Sequence, residues 1–122
     1  MFAAILQRAV ERTPGAVGGA FAARDGELVD SFRPADQVSD EDRLAILAAH
    51  YGIVLAQLGA IFGTWHFGGP EYFIAQHTQL DVVVHTVDNG YYALLALAEP
   101  APLAQALISM RTAVGELRKE MA

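Results

Sequence analysis

Phe2, Ile5, Leu6, Ala9 and Val10 recur at steps of three and four, the spacing that lines one face of an amphipathic helix. Thr13-Pro14-Gly15 ends that pattern, because proline cannot continue a helix and glycine frees the turn. A run of small residues, Ala16 to Ala23, then reads as a strand. Arg24-Asp25-Gly26-Glu27 supplies hairpin chemistry, and Leu28 to Phe32 reads as the returning strand. Ser39 or Asp40 is placed to cap the next helix, with Asp40, Glu41 and Asp42 where its N-terminal dipole favours acids. After Gly68-Gly69-Pro70, Tyr72 to His77 and Leu80 to Val87 flank a tight turn at Thr78-Gln79. That turn pairs His77 with Leu80 and Tyr72 with His85. Asp88-Asn89-Gly90 leads into Tyr91 to Ala98; Asn-Gly suits a two-residue hairpin, in which both central residues need positive φ. Tyr91 to Leu97 is apolar on both faces and reads as an inner strand covered on both sides. Glu99-Pro100-Ala101-Pro102 stops it, and Leu103, Leu107, Met110, Val114, Leu117 and Met121 mark a last helix. The order α-β-β-α-β-β-β-α predicts an α+β domain spanning 1–122, one five-stranded antiparallel sheet sandwiched by helices.

The central helix, from about Glu41 to Thr64, has no single apolar face. Arg43, His50, Gln57 and Thr64 recur every seven residues as a narrow polar stripe. A large apolar stripe runs Leu44, Leu47, Tyr51, Val54, Leu58, Ile61, Trp65. A third stripe is small: Ala45, Ala49, Gly52, Ala56, Gly59 or Ala60, and Gly63. A helix apolar nearly all round must bury more than one side.

Composition sharpens this picture. The chain has 122 residues, 53% of them apolar and only 18% charged, which is rich for one small domain. Such a balance asks for a covered apolar patch or a membrane segment. The helix is read as partner-facing rather than spanning, since His50 and Gln57 interrupt it and no basic flank orients it. The net charge is -6, and no Lys or Arg lies between Leu44 and Met110, which excludes a nucleic-acid backbone reader. Asp25 to Asp42 holds seven acids and one base and reads as a solvated, tolerant segment, in which Asp36→Asn should change stability by no more than about 0.5 kcal/mol. The first residues lack a positive n-region, so a cytoplasmic location is expected.

The search for chemistry is mostly negative. Cysteine is absent, removing disulfides, thiolate metal sites and a thiol nucleophile. Gly15, Gly18 and Gly19 fit neither a phosphate loop nor a dinucleotide fingerprint, and Ser31, Ser39 and Ser109 form no nucleophile elbow. His50 and His66 lie more than four helical turns apart, and His77 and His85 sit at opposite ends of their hairpin, so no metal and no cofactor are expected. No enzyme activity is expected either.

The opening Thr13-Pro14-Gly15-Ala16-Val17-Gly18-Gly19-Ala20, then Arg24-Asp25-Gly26, the small-rich central helix, the Asp88-Asn89-Gly90-Tyr91 hairpin and the closing helix resemble the roadblock / dynein light chain family, including its bacterial gliding-polarity regulators. The resemblance covers essentially the whole chain. It departs at the loop from Phe32 to Asp42 and at the aromatic corner Phe62 to Phe67. It implies a sheet with the central helix on one face and the terminal helices on the other. It also implies a non-enzymatic dimer that joins edge strands, stacks central helices, and offers a platform to a small Ras-like GTPase or another roadblock protein, as in polarity or motility control. A structural adaptor without GTPase contact is the second reading, and a small-molecule sensor the third.

A homodimer is expected through Ala49, Gly52, Ala56, Gly59, Ala60 and Gly63 on the helix and Tyr72, Phe73, Ile74 and Gln76 on the edge strand. The monomer's sheet is expected to cover the large stripe and leave the small one for the partner, so Ala56→Glu should split the dimer or unfold it. Arg43, His50 and Gln57 are the expected platform. An arginine finger at Arg43 is weighed and set aside in favour of a solvated first-turn residue.

Overall fold

The computed structural model describes residues 2–34, 41–98 and 101–122. Its elements run α1 (Phe2–Arg12), β1 (Ala16–Ala22), β2 (Leu28–Phe32), α2 (Glu41–Thr64), β3 (Tyr72–Gln76), β4 (Leu80–Thr86), β5 (Tyr92–Ala98) and α3 (Leu103–Met121). Three of the expected strands end one residue earlier and β5 begins one later; the order is the expected one. The Ser39 or Asp40 cap, the acidic first turn, the loop around Asp36 and the stop at Glu99-Pro100 concern residues or side chains outside the described set.

All five strands form one antiparallel sheet in the order β2-β1-β5-β4-β3, which puts β5 at its centre and leaves β2 and β3 as edges. The apolar run from Tyr92 to Leu97 is buried throughout, as an inner strand with helices on both faces requires. Register follows from the turns. Tyr72 pairs with His85, and the His77 amide donates to the Leu80 carbonyl at 2.8 Å. Asn89 (φ 60°) and Gly90 (φ 82°) both take the left-handed region, and the Tyr91 amide closes the turn on the Asp88 carbonyl.

The pleat sends alternate residues to two cores. Phe21, Val83, Ala93, Leu95 and Leu97 face α1 and α3, meeting Ile5, Leu6 and Val10 from one helix and Met110, Val114 and Leu117 from the other. Burying each of these larger side chains stabilises the fold by about 2 kcal/mol. Ala20, Ala22, Val82, Val84, Leu94 and Ala96 face α2. The smaller residues of β1 and β5 on that side let the α2 backbone lie close to the sheet. The central helix thus occupies one face and the terminal helices the other.

Candidate interaction surface

A 24-residue helix is about 36 Å long, whereas the seven-residue strands beneath it span about 23 Å. At ~1.5 Å per residue, ~23 Å accommodates about 15 residues, so the end of α2 runs past the sheet. Leu44, Ala48 and Gly52 are buried against the sheet, and beyond Gly52 no residue of the helix is buried. Tyr92 fixes the contact: its hydroxyl donates to the Ala48 carbonyl at 2.8 Å, and a Cβ on residue 52 would collide with that hydroxyl. Burial, aided by the Asp25 charge, raises the Tyr92 phenol above its ordinary pKa.

This seat corrects the expected roles of the helix stripes. Gly52 faces Tyr92 and not a partner. Ala49, Gly52 and Ala56 turn toward the β1–β2 hairpin, where with Arg24, Asp25 and Gly26 they line a cleft of about 230 Å³. The side of α2 facing the β3 edge carries the large stripe. Tyr51 packs on Phe73 with ring centroids 5.7 Å apart, and its hydroxyl hydrogen-bonds His77 Nε2. Burial raises the Tyr51 phenol. Leu47 lies on the same side, and helical spacing places Val54 and Leu58 further along it. Val54 is exposed and Leu58 only half-buried, so the sheet does not cover this stripe as expected. The physical reason is steric: only a small residue fits over Tyr92, and that rotates the large residues to the flank.

The outer surface is unusually apolar. Ile46, Ile53, Ile61 and Phe62 are exposed, and so are Trp65 (69%) and Phe67 (78%) where the helix leaves the domain. Phe62 and Phe67 lean together with ring centroids 6.4 Å apart, and the Phe67 amide returns to the Phe62 carbonyl. Arg43, His50 and Gln57 are exposed in one line along this surface, interleaved with Ile46 and Ile53. His50 Nδ1 donates to the Ile46 carbonyl at 2.9 Å. Ala60 and Gly63 are exposed, Gly59 is half-buried, and a Cβ on either glycine would meet nothing within 4 Å. By length and hydropathy Arg43–Thr64 could cross a membrane; here its first half is seated on the sheet.

The β3 residues divide between the faces. Phe73 points toward α2, while Tyr72, Ile74 and Gln76 alternate to the other side, so what unites them is the strand's unpaired backbone edge. Tyr72 stacks on His85 (6.0 Å, 20°), with the Arg111 guanidinium 5.3 Å above its ring. His85 Nδ1 donates to the Thr86 carbonyl at 2.7 Å. Burial lowers the His85 pKa, and the Arg118 and Arg111 charges add to this. Among the described residues no three His, Asp or Glu side chains gather where a metal could sit.

Known proteins place this architecture. No family model matches the chain, and no curated protein matches it. Solved structures do. The gliding protein MglB from Thermus thermophilus superposes with a TM-score of 0.85 at 18% identity, covering 98% of this chain and 88% of that one. An MglB structure described as a tetrameric arrangement gives 0.85 at 17% identity, covering 95% and 84%. A roadblock/LC7 domain from Streptomyces avermitilis gives 0.80 at 18% identity, covering 96% and 94%.

Proposed function

The fold just described is the roadblock/LC7 fold, and from it we propose that the chain is a dimeric regulator or scaffold, working in the cytoplasm without catalytic chemistry of its own. Two copies pair through the open β3 edge, and the α2 side facing that edge packs across the twofold axis. The observation that carries this reading is the coincidence of two unfinished surfaces. The unpaired β3 backbone runs beside the stripe Leu47, Tyr51, Val54, Leu58, which the monomer leaves partly bare. A twofold axis would cover both at once. The small stripe at Ala49, Gly52 and Ala56 lies on the other flank of the helix and contributes little to that seam.

The exposed line Arg43, His50, Gln57, set among Ile46 and Ile53, is then the platform for a further protein. The structural likeness to MglB proteins supports a small Ras-like GTPase, or another roadblock protein, as the partner class, in polarity or gliding control. Light scattering tests the first half of the proposal: a monomer mass at micromolar concentration would overturn it. Pull-down with a Ras-like GTPase loaded with GTP or GDP tests the second. Nucleotide-dependent capture is expected, whereas capture only of other roadblock proteins would leave a scaffold.

A further inference from the structure

The two halves of α2 are not equally able to stay helical. The first half is held from outside by Leu44, Ala48 and Gly52 against the sheet and by the Tyr92 hydroxyl on Ala48. Residues 53–64 have no buried member. Their own sequence does little to replace that support. Gly59 and Gly63 are poor helix formers, and Ile53, Val54, Ile61 and Thr64 are β-branched. No charged residue occurs in the segment, so no i, i+4 ion pair can brace it. Thr64 Oγ1 bonds back to the Ala60 carbonyl, a contact that gives a helix no strength. Its packing within the monomer is slight, chiefly Leu55 at the margin of the sheet-side core and Gly59 against Gly69, and a stretch of this length so thinly packed is marginal in water.

Both glycines could be alanine as far as this chain is concerned, since a Cβ at either position meets nothing. Gly69 lies close against the Gly59 backbone, where a Cβ on residue 69 would come within 3.2 Å of the Gly59 Cα, but that contact needs glycine at 69 and leaves room for a methyl at 59 and 63. Gly59 and Gly63 do not lie on the flank toward β3, where Leu47, Tyr51, Val54 and Leu58 are found.

We infer that the second half of α2 is an interaction surface finished by association: residues 53–64 are loosely helical in a single copy and become firmly helical when a second copy packs on them. This rests on the dimeric reading above. The apparent affinity then includes the cost of ordering the segment, and any change that pre-orders it tightens the dimer.

Gly59→Ala/Gly63→Ala in the full chain separates the possibilities. Raising helix propensity where no atom is displaced should tighten the dimer by at least about tenfold in equilibrium sedimentation. An unchanged dissociation constant would mean that the segment is already fully helical in the single copy, and would overturn the inference. A weaker dimer would also overturn it, by showing that the partner occupies the space beside the glycines. Hydrogen exchange of the wild-type chain gives a second reading. Amides of 53–64 should exchange at least about tenfold faster below the dissociation constant than above it, while those of 44–52 change little. Equal protection at the two concentrations overturns the inference and leaves the dimer standing. Absence of a dimer for both chains removes the dimeric reading itself, and this inference with it.

Discussion

The two edges of the sheet are built to opposite ends. β2 is blunted. Phe21 pairs with Asp30 and Ala22 with Leu28, so Val29 is the extra residue of a bulge and points outward. Asp30 next to it accepts the Ala3 amide at 3.0 Å and the Ser31 amide at 2.9 Å, tying the strand to the first turn of α1. Pro34 follows two residues after the strand ends. β3 has neither a bulge nor such a carboxylate tie, although Pro70 stands two residues before it as Pro34 stands two after β2. Its five residues pair with β4 without a register shift, Tyr72 to Ile74 are large and apolar, and the uncovered flank of α2 runs alongside. Natural sheets blunt the edges on which pairing would do harm. On the dimeric reading, the contrast leaves pairing to the β3 side, which favours a closed pair over an open filament.

The most severe way to break this contrast is to dislodge the helix that gives β3 its neighbour. Gly52→Val should destabilise the fold by about 3 kcal/mol in urea denaturation, through collision with Tyr92 and loss of its bond to Ala48. A midpoint shift worth less than about 1 kcal/mol would show that α2 can slide without loss. Next comes the flank itself. Leu58→Glu places a carboxylate beside the open edge and should weaken the dimer by at least about 100-fold, read by sedimentation. Ala56→Glu, on the opposite flank and close to Arg24, should leave the dimer within about threefold of the wild type. If Ala56→Glu proved the more disruptive, the small stripe would be the seam after all.

The blunted edge offers a milder test. Asp30→Ala removes an acceptor from α1 and from Ser31, and should cost about 1 kcal/mol. It should also make β2 more accessible, so species larger than the dimer should appear in sedimentation. If none does, the bulge at Val29 protects the edge alone.

Most of the fold was legible because each element has its own period and its own punctuation. The tight turn at Thr78-Gln79 even fixed the register, pairing Tyr72 with His85 before any tertiary contact had to be guessed. The orientation of α2 was not legible. A helix apolar on every side carries no directional signal, and the residue that decides the matter, Tyr92, lies far downstream of Gly52 in the chain. Size alone suggested that the large stripe should fill the core; a tyrosine rising from the central strand puts a glycine at that contact instead and turns the large residues to the flank. Arg43, His50 and Gln57, polar every seventh residue, did mark the exposed line. The blunting of β2 was hidden too, since a carboxylate in a strand reads as a solvated residue until the first turn of α1 is seen to rest on it.

The smallest effect expected concerns pH, and it should fall on one edge only. His85 sits under Tyr72, the first residue of β3, and its Nδ1 proton is held by the Thr86 carbonyl. Burial lowers its pKa below the ordinary 6.5; Arg118 and Arg111 push the same way, against the Thr86 bond and Glu71. The folded chain therefore keeps His85 neutral at a pH where the unfolded chain has begun to take up its proton. Stability from this group is complete above about pH 6.5 and falls as the pH drops through the interval between the unfolded and folded values. Below the folded value its contribution to the slope ends. Because the imidazole stacks on Tyr72, acidification should lower the protection of the Tyr72–Ile74 amides, relative to their intrinsic exchange rate at each pH, before that of Leu28–Phe32 on the far edge. His85→Gln, which keeps a polar group but cannot titrate, should flatten the slope between about pH 7 and pH 5. Equal loss of protection at both edges in the wild type would assign the pH dependence to the carboxylates at large, and remove His85 from the account of the open edge.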